Sequence, residues 1–162
     1  MKARDLMIPL HEYLTPDMPL VDAGHMLRKA KRGEEKIGVK GLPVLDANGK
    51  MVGFLSIGDI LKSVFPSYMG LLNLGDFTWD GMVEHIAKRM KDTPVADLMT
   101  KEVITVPEEA ALMECVDHML KFNVKKLPVL NAAGSVTGML YERDVFFAVV
   151  RAMMNNIAGG LS

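Results

Sequence analysis

A serine and an aspartate three residues apart form the first pair in this sequence whose chemistry suggests a binding site. Ser56 and Asp59 lie in residues 53–59, which read GFLSIGD where a predicted strand leads into a predicted helix. Backbone amides and the helix dipole at such a turn favour a phosphate near Ser56. The Asp59 carboxylate can accept hydrogen bonds from two neighbouring hydroxyl groups at once. The same spacing also fits a capping box that only stabilises the helix start, so both interpretations stay open.

An internal repeat places this pair within a larger pattern. Residues 42–61 and 127–146 match at nine of twenty positions without a gap, and residues 5–7 and 97–99 both read DLM. The offset between the copies falls from 92 to 85 along the chain. The first copy therefore holds seven extra residues, which fit the polar stretch around 31–36. We expect that stretch to be a solvated loop.

Each copy predicts the element order β-α-β-β-α, with tight turns at Gly49 and Gly134 because glycine accepts positive φ. The predicted ranges are 12–14, 19–31, 42–45, 51–56 and a helix from about Asp59 in the first copy, and 103–106, 109–122, 127–130, 136–141 and a helix from about Asp144 in the second.

The repeat predicts a mixed α/β (α+β) fold in which two copies pack as a pseudo-twofold pair around a shared core. A cleft between the copies would then occur twice, in related but unequal forms. The predicted organisation is repeat 1 at 1–65, an inter-repeat linker at 66–94 with a helix from Trp79 to Lys91, repeat 2 at 95–155 and a C-terminal tail at 156–162.

The second copy departs from the first at the candidate site. Residues 138–144 read GMLYERD, which keeps the aspartate as Asp144 but puts Tyr141 in the serine position. Tyrosine is bulky and can fill or narrow a cleft, and an aspartate at a helix start is favourable without any ligand. We therefore expect a good site at Asp59 and a weak one at Asp144, where Arg143 could supply positive charge for a phosphate.

Composition narrows the functional classes. The chain has 162 residues, 49% of them hydrophobic and 24% charged, which is typical of a globular protein. The net charge of −1 gives no basic excess for nucleic-acid binding. No apolar run reaches the roughly 20 residues of a membrane helix, and the charged N-terminus does not resemble a secretion signal. We therefore expect a cytoplasmic protein that binds neither nucleic acid nor membrane.

The sequence also offers little for catalysis or metal binding. The single cysteine, Cys115, excludes an intramolecular disulfide, and we expect it to be a small buried residue. The four histidines show no metal-ligand spacing, and no nucleophile elbow or phosphate-binding loop is present. We expect no metal site, no catalytic residue and no catalytic cofactor, and hence a protein that is not an enzyme.

The ordered motifs D-L-M, L-P-V-L-D-x-x-G and G-h-h-S-x-x-D, where h is apolar, carry a family resemblance. In two copies they resemble the CBS domain doubled into a Bateman module, from about Ala3 to about Val150. The chain resembles small stand-alone CBS-pair proteins of bacteria and archaea. The resemblance implies a regulatory module that binds an adenosine nucleotide (AMP, ADP or ATP) or S-adenosylmethionine in the cleft between the repeats.

The resemblance also implies roles for individual residues. Asp59 would hold the ribose diol and Ser56 would lie near the phosphate. Lys125 or Lys126 could add positive charge, and an apolar slot could sandwich the purine. The opposite wall of this site would be formed by Thr100, Ile104, Val124, Lys125 and Lys126. The weak second site would combine Asp144 with Val39 and Lys40.

The expected partners are the nucleotide, an effector protein and a second copy of the chain. CBS pairs commonly form dimers, and the C-terminal helix from Val145 to Ile157 is unusually apolar, so we expect a homodimer through the CBS helices. The alternative is a ligand-free structural or dimerisation module whose clefts are filled by Tyr141 and the methionines.

Overall fold

The computed structural model describes residues 1–30, 38–65 and 81–160, with side chains up to residue 155. The predicted loop at 31–36, most of the linker and the beginning of its helix at Trp79 lie outside the described residues. In chain order the described elements are α1 (Ala3–Leu6), β1 (Ile8–Pro9), α2 (Leu20–Lys29), β2 (Gly41–Leu45), β3 (Met51–Ser56), α3 (Ile57–Val64), α4 (Met82–Met90), a 3-10 turn (Val95–Asp97), β4 (Val106–Pro107), α5 (Leu112–Lys121), β5 (Lys126–Leu130), β6 (Val136–Tyr141) and α6 (Glu142–Gly160).

The chain divides into two compact units that do not coincide with the sequence repeats. Unit 1 combines Met1–Leu10 with Ile104–Ser162, and unit 2 is His11–Val103. Each unit therefore contains most of one repeat together with the leading segment of the other, which is Met1–Leu10 in unit 1 and residues 95–103 in unit 2. The repeat boundaries given by the sequence describe the duplication, whereas these units describe where the chain packs.

Unit 1 contains a four-stranded sheet with the order β1-β6-β5-β4. Its central β5–β6 pair and its β1–β6 pair are antiparallel, and β4 lies parallel to β5. The buried cluster beneath this sheet includes Leu127, Val129 and Leu140, together with Ala3 from the leading segment.

Unit 2 repeats this topology with shorter pairings. Its β2–β3 hairpin is antiparallel, Leu14 forms one parallel bridge to Val44, and Thr100 forms one antiparallel bridge to Phe54. Its buried cluster includes Leu42, Val44 and Leu55, and it takes Val95 from the other repeat's leading segment.

The hairpin turns follow from the sequence. Gly49 and Gly134 adopt φ of 80° and 84°, the left-handed conformation that glycine accepts without strain. Just before each turn, a side-chain oxygen accepts two backbone N–H groups. Asp46 Oδ1 lies 2.8 Å from Asn48 N and 3.0 Å from Lys50 N, and Asn131 Oδ1 accepts at 3.0 Å from both Ala133 N and Ser135 N.

The mixed α/β fold with tandem repeats is confirmed, and the strands at 51–56 and 136–141 fall where the sequence predicts them. One expectation differs. The leading strands are very short, with one bridge at Leu14 and two residues in β4. The described residues form one buried cluster in each unit, because each sheet has a buried face of its own, covered by α2 in unit 2 and by α5 in unit 1.

Candidate functional site

The polar centre of unit 2 lies at the start of α3. Ser56 is the N-cap residue, and its Oγ accepts a hydrogen bond from Asp59 N at 3.1 Å. In return, Ser56 N donates to Asp59 Oδ2 at 2.9 Å. This reciprocal capping box satisfies two backbone donors of the helix start and fixes one oxygen of the carboxylate. The capping interpretation of this pair is therefore confirmed, and it leaves the ligand-binding interpretation open.

Thr100 contributes a third polar side chain to this centre, although it comes from the second repeat. Its hydroxyl donates to the Asp59 carboxylate, at 3.3 Å to Oδ1 and 3.4 Å to Oδ2. The resemblance assigned Thr100 to the wall opposite Asp59, but it lies beside Asp59 in unit 2. The cause is backbone pairing with β3, because Thr100 and Phe54 exchange two N–H···O bonds of 2.8 Å.

A close approach between Gly53 and Met99 brings Thr100 to this position. A Cβ atom built on Gly53 would lie 2.6 Å from Met99 Sδ and 2.9 Å from the Thr100 carbonyl oxygen. Only glycine leaves room for the segment to lie this close to β3. The glycine of the GFLSIGD motif thus helps to place a residue that lies 41 positions beyond Asp59.

The two residues predicted for the weak second site also belong to unit 2. The Lys40 carbonyl accepts a hydrogen bond from Ile57 N at 2.8 Å, so the backbone of Lys40 lies beside the start of α3. Val39 is half-buried against the core of unit 2, and its N–H donates to the Leu27 carbonyl at 3.0 Å.

Unit 1 contains the equivalent arrangement with different side chains. Glu142 N donates to the Lys125 carbonyl at 2.8 Å, and Lys126 pairs with Tyr141 across the β5–β6 hairpin. Lys125 and Lys126 therefore lie beside the start of α6, in the unit that carries Asp144. Ile104 and Val124, the predicted purine contacts, are partly buried and pack against the core of this unit.

Ile8 occupies the place in unit 1 that Thr100 occupies in unit 2, and the sequence analysis missed it. Ile8 pairs with Met139 on β6, as Thr100 pairs with Phe54 on β3. A Cβ atom on Gly138 would lie 2.6 Å from Met7 Sδ, which repeats the contact between Gly53 and Met99. Extending the D-L-M match by one residue would have aligned Ile8 with Thr100.

The Arg143 guanidinium lies 5.2 Å from the centre of the Phe147 ring, so it stacks on a neighbouring side chain. Cys115 is buried as predicted, and this burial raises the pKa of its thiol above the usual value.

Among the described residues, no group of three or more His, Cys, Asp or Glu side chains is placed to hold a metal ion. Within the ranges that the structure describes, no helix has the length and apolar character needed to cross a bilayer.

The duplicated topology and the paired motifs define a tandem-repeat module, and comparison with known families identifies it. The CBS domain matches this chain in two segments, residues 3–65 and 95–151. The chain belongs to the CBS domain family and carries a CBS pair, the arrangement known as a Bateman module.

Individual proteins support the same assignment. The chain is 29% identical to the uncharacterized protein MJ1426 of Methanocaldococcus jannaschii over 147 residues, 83% of each chain. The CBS-pair protein CBSX2 from Arabidopsis thaliana has the same fold, with a TM-score of 0.71, 26% identity and coverage of 94% of this chain and 96% of CBSX2. A structure of CBSX2 in complex with AMP matches with a TM-score of 0.68 and 25% identity, over 94% and 98% of the two chains.

A further match is to a metabolic enzyme, but only to a small part of it. Inosine-5'-monophosphate dehydrogenase of Halalkalibacterium halodurans is 26% identical over 134 residues, which is 82% of this chain and 21% of the dehydrogenase. The matched part corresponds to the CBS segments, so this similarity carries no catalytic activity to this chain.

Proposed function

We propose that this protein is a regulatory module that binds an adenosine nucleotide, with Asp59 of unit 2 as the ribose anchor. The observation that carries the proposal is the Asp59 carboxylate, held at the start of α3 by Ser56 N at 2.9 Å and by the Thr100 hydroxyl. A carboxylate fixed by two donors retains lone pairs that can accept both hydroxyls of a ribose.

The start of α3 also suits the phosphate end of a nucleotide. Amide groups and the helix dipole create positive potential near Ser56. The family resemblance assigns formal charge to Lys125 and Lys126 and the purine contact to Ile104 and Val124. These four residues belong to unit 1, and alanine substitution of each tests its assignment.

AMP is the first ligand to try, because CBSX2, which matches 94% of this chain, has been crystallised with AMP. ADP, ATP and S-adenosylmethionine share the adenosine group, and they differ at the end where the lysines would act. In the proposed function, ligand occupancy is passed to an effector protein or to a second copy of the chain, and the protein is not an enzyme.

Calorimetric titration with AMP, ADP, ATP and S-adenosylmethionine tests this proposal. The wild type is expected to bind about one ligand per chain. Asp59→Ala should lose binding because the diol loses its acceptor, whereas Asp144→Ala should keep it because the weak site contributes little. Before the titrations, any nucleotide that co-purified with the protein is extracted from it and detected by the absorbance of the nucleotide. An empty wild-type protein that binds none of the four ligands at millimolar concentration rules the proposal out.

The second candidate function is a structural or dimerisation module, and α6 favours it. Phe146, Met153 and Met154 are 58%, 60% and 63% exposed on this helix. Its opposite side packs into unit 1 through Val145 and Ala148, which are buried. A helix that is apolar on nearly all sides is usually covered. We propose a second copy of the chain as the cover, and light scattering should report a dimer. A clean monomer at high concentration contradicts this homodimer.

A further inference from the structure

We propose that Thr100 is a positioning residue that orients the Asp59 carboxylate for a vicinal diol. This inference rests on the proposed function, because it assigns a specificity determinant to the same site. It gives Thr100 a different part from the wall residue that the resemblance implied. Thr100 would act through Asp59, and it would decide how strongly the site distinguishes a ribose from a deoxyribose.

The geometry around Asp59 supports this role. Ser56 N binds only Oδ2, at 2.9 Å, and one such bond leaves the plane of the carboxylate able to rotate. Rotation about the terminal bond of aspartate has only broad preferences of its own. The Thr100 hydroxyl is shared between Oδ1 and Oδ2, at 3.3 Å and 3.4 Å, and restrains that rotation from a second direction.

Restrained rotation matters because a diol needs both oxygens at the same time. Two vicinal hydroxyls present two donors at a fixed separation, and they bind best to a carboxylate that already faces them. Holding the carboxylate before the ligand arrives reduces the ordering cost of binding. A ligand with one hydroxyl needs only one oxygen, so it gains less from this preorganisation.

The position of Thr100 is set by the protein backbone, independently of any ligand. Both of its backbone groups bond to Phe54 at 2.8 Å, and Met99 beside it packs against Gly53. Thr100 is exposed, whereas Asp59 is half-buried, so the hydroxyl is not required to fill the core. Because the backbone holds Thr100 in place and its side chain is exposed, these contacts favour a positioning role for the hydroxyl over a packing role.

Unit 1 provides an internal contrast. Ile8 lies at the equivalent bridge, opposite Met139, and its side chain has no hydrogen-bond donor. Tyr141 replaces the capping serine in the same unit. We infer that the vicinal-diol specificity of this protein resides in unit 2 and depends on the hydroxyl of Thr100.

The test compares AMP with 2'-deoxy-AMP by calorimetry in the wild type, Thr100→Val and Thr100→Ser. Valine keeps the shape of threonine but removes the donor, so AMP binding should weaken about tenfold. Binding of 2'-deoxy-AMP should change less, and the ratio of the two affinities should fall. Serine keeps the donor, so Thr100→Ser should retain most of that ratio. Thr93→Val is the matched control, because Thr93 is half-buried in the same unit and its hydroxyl contacts Met90, which takes no part in the hydrogen bonds described for Asp59.

The outcomes separate this inference from the proposed function. If the wild type binds AMP and Thr100→Val keeps both its affinity and its preference over 2'-deoxy-AMP, the positioning role is overturned while the proposed function survives. An equal loss for both ligands, with a lowered melting temperature, indicates a structural role and also overturns the inference. A wild type that binds neither ligand refutes the proposed function itself.

Discussion

The two units share one topology but differ in their polar chemistry. In unit 2, Ser56, Asp59 and Thr100 form a connected set of hydrogen bonds at the start of α3. The equivalent positions in unit 1 hold Tyr141, Asp144 and Ile8, of which the aspartate alone is unchanged. The backbone bonds around these positions are the same, down to the lysine carbonyl that accepts the first helical N–H at 2.8 Å.

The two units also differ in the ion pairs that hold their leading segments, and here unit 1 has the polar contacts. In unit 1, both Lys2 and Arg4 pair with Glu109. The equivalent positions in unit 2 hold Pro94, Ala96 and Asp17, which cannot form these ion pairs. Unit 1 therefore has charged groups holding its leading segment, whereas unit 2 has a hydroxyl that links its leading segment to the candidate site. The duplicated backbone is compatible with either arrangement, so side chains alone distinguish unit 2, where we propose the ligand site, from unit 1.

The largest expected effect comes from the two glycines beneath the leading segments. Gly53→Ala and Gly138→Ala would each place a Cβ 2.6 Å from a methionine sulfur and 2.9 Å from a backbone carbonyl oxygen. We expect each change to reduce the free energy of unfolding by about 1–3 kcal/mol, measured by urea denaturation. Gly53→Ala should also weaken AMP binding, because the displaced segment carries Thr100.

Gly24→Ala is the control for these substitutions. Beyond its own helix backbone and chain neighbours, no atom of the described residues lies within 4 Å of a Cβ at this position, and alanine favours a helix, so stability should stay equal or rise. If Gly138→Ala weakens AMP binding as much as Gly53→Ala does, the proposed difference between the units is wrong.

Loss of the helix cap should have an intermediate effect. Ser56→Ala removes the acceptor for Asp59 N and is expected to cost about 1 kcal/mol of unfolding free energy. Ser63→Ala is the matched control in the same helix, since the Ser63 hydroxyl donates to the Ile60 carbonyl, at 2.5 Å, within α3 and takes no part in its N-terminal cap. Equal losses for the two variants in thermal unfolding would show that the cap contributes nothing special.

The smallest expected effect concerns pH and the leading segment of unit 1. The hydrogen bond from Lys2, with the nearby charges of Arg4 and Lys2, lowers the pKa of Glu109 below its usual value. A lowered folded-state pKa stabilises the protein above the unfolded-state pKa, and this stabilisation is lost as pH falls through the folded-state value. Glu109 is exposed, so the effect should be small.

Glu109→Gln should therefore melt slightly below the wild type at pH 7, and the difference should shrink as the pH is lowered into the acidic range. Melting curves from pH 7 to pH 3 provide the measurement. A difference that stays constant over this range would mean that the charge of Glu109 does not hold the segment.

Much of the fold could be predicted because the sequence contains the repeat twice, so each element is indicated by two separate segments. The same apolar segments, glycine turns and helix starts occur in both copies, and β3 and β6 were predicted with their observed bounds. The leading strands were predicted less well. Leu14 and Val106 each form only brief pairings, and such short pairings leave no clear period-2 pattern in a sequence.

The candidate site shows the same division. Ser56 and Asp59 are three residues apart, so the capping box that joins them is local and visible in the sequence. Thr100 lies 41 residues from Asp59, and its hydrogen bond depends on how a distant segment pairs with β3. The sequence could have aligned Ile8 with Thr100 by extending the D-L-M match by one residue, but the pairing of Ile8 with β6 is visible only in the folded chain.

The sequence by itself determined the duplication, the element order, the turns and the identity of the capping pair, because each of these depends on residues close together in the chain. Tertiary structure alone decided that Thr100 joins Asp59, that Ile8 takes its place in unit 1, and that each leading segment packs with the other repeat. Those outcomes depend on backbone hydrogen bonds between strand edges and on the space above Gly53 and Gly138. Strand edges and close approaches are properties of the folded chain, and local sequence patterns do not specify which distant segment will occupy them.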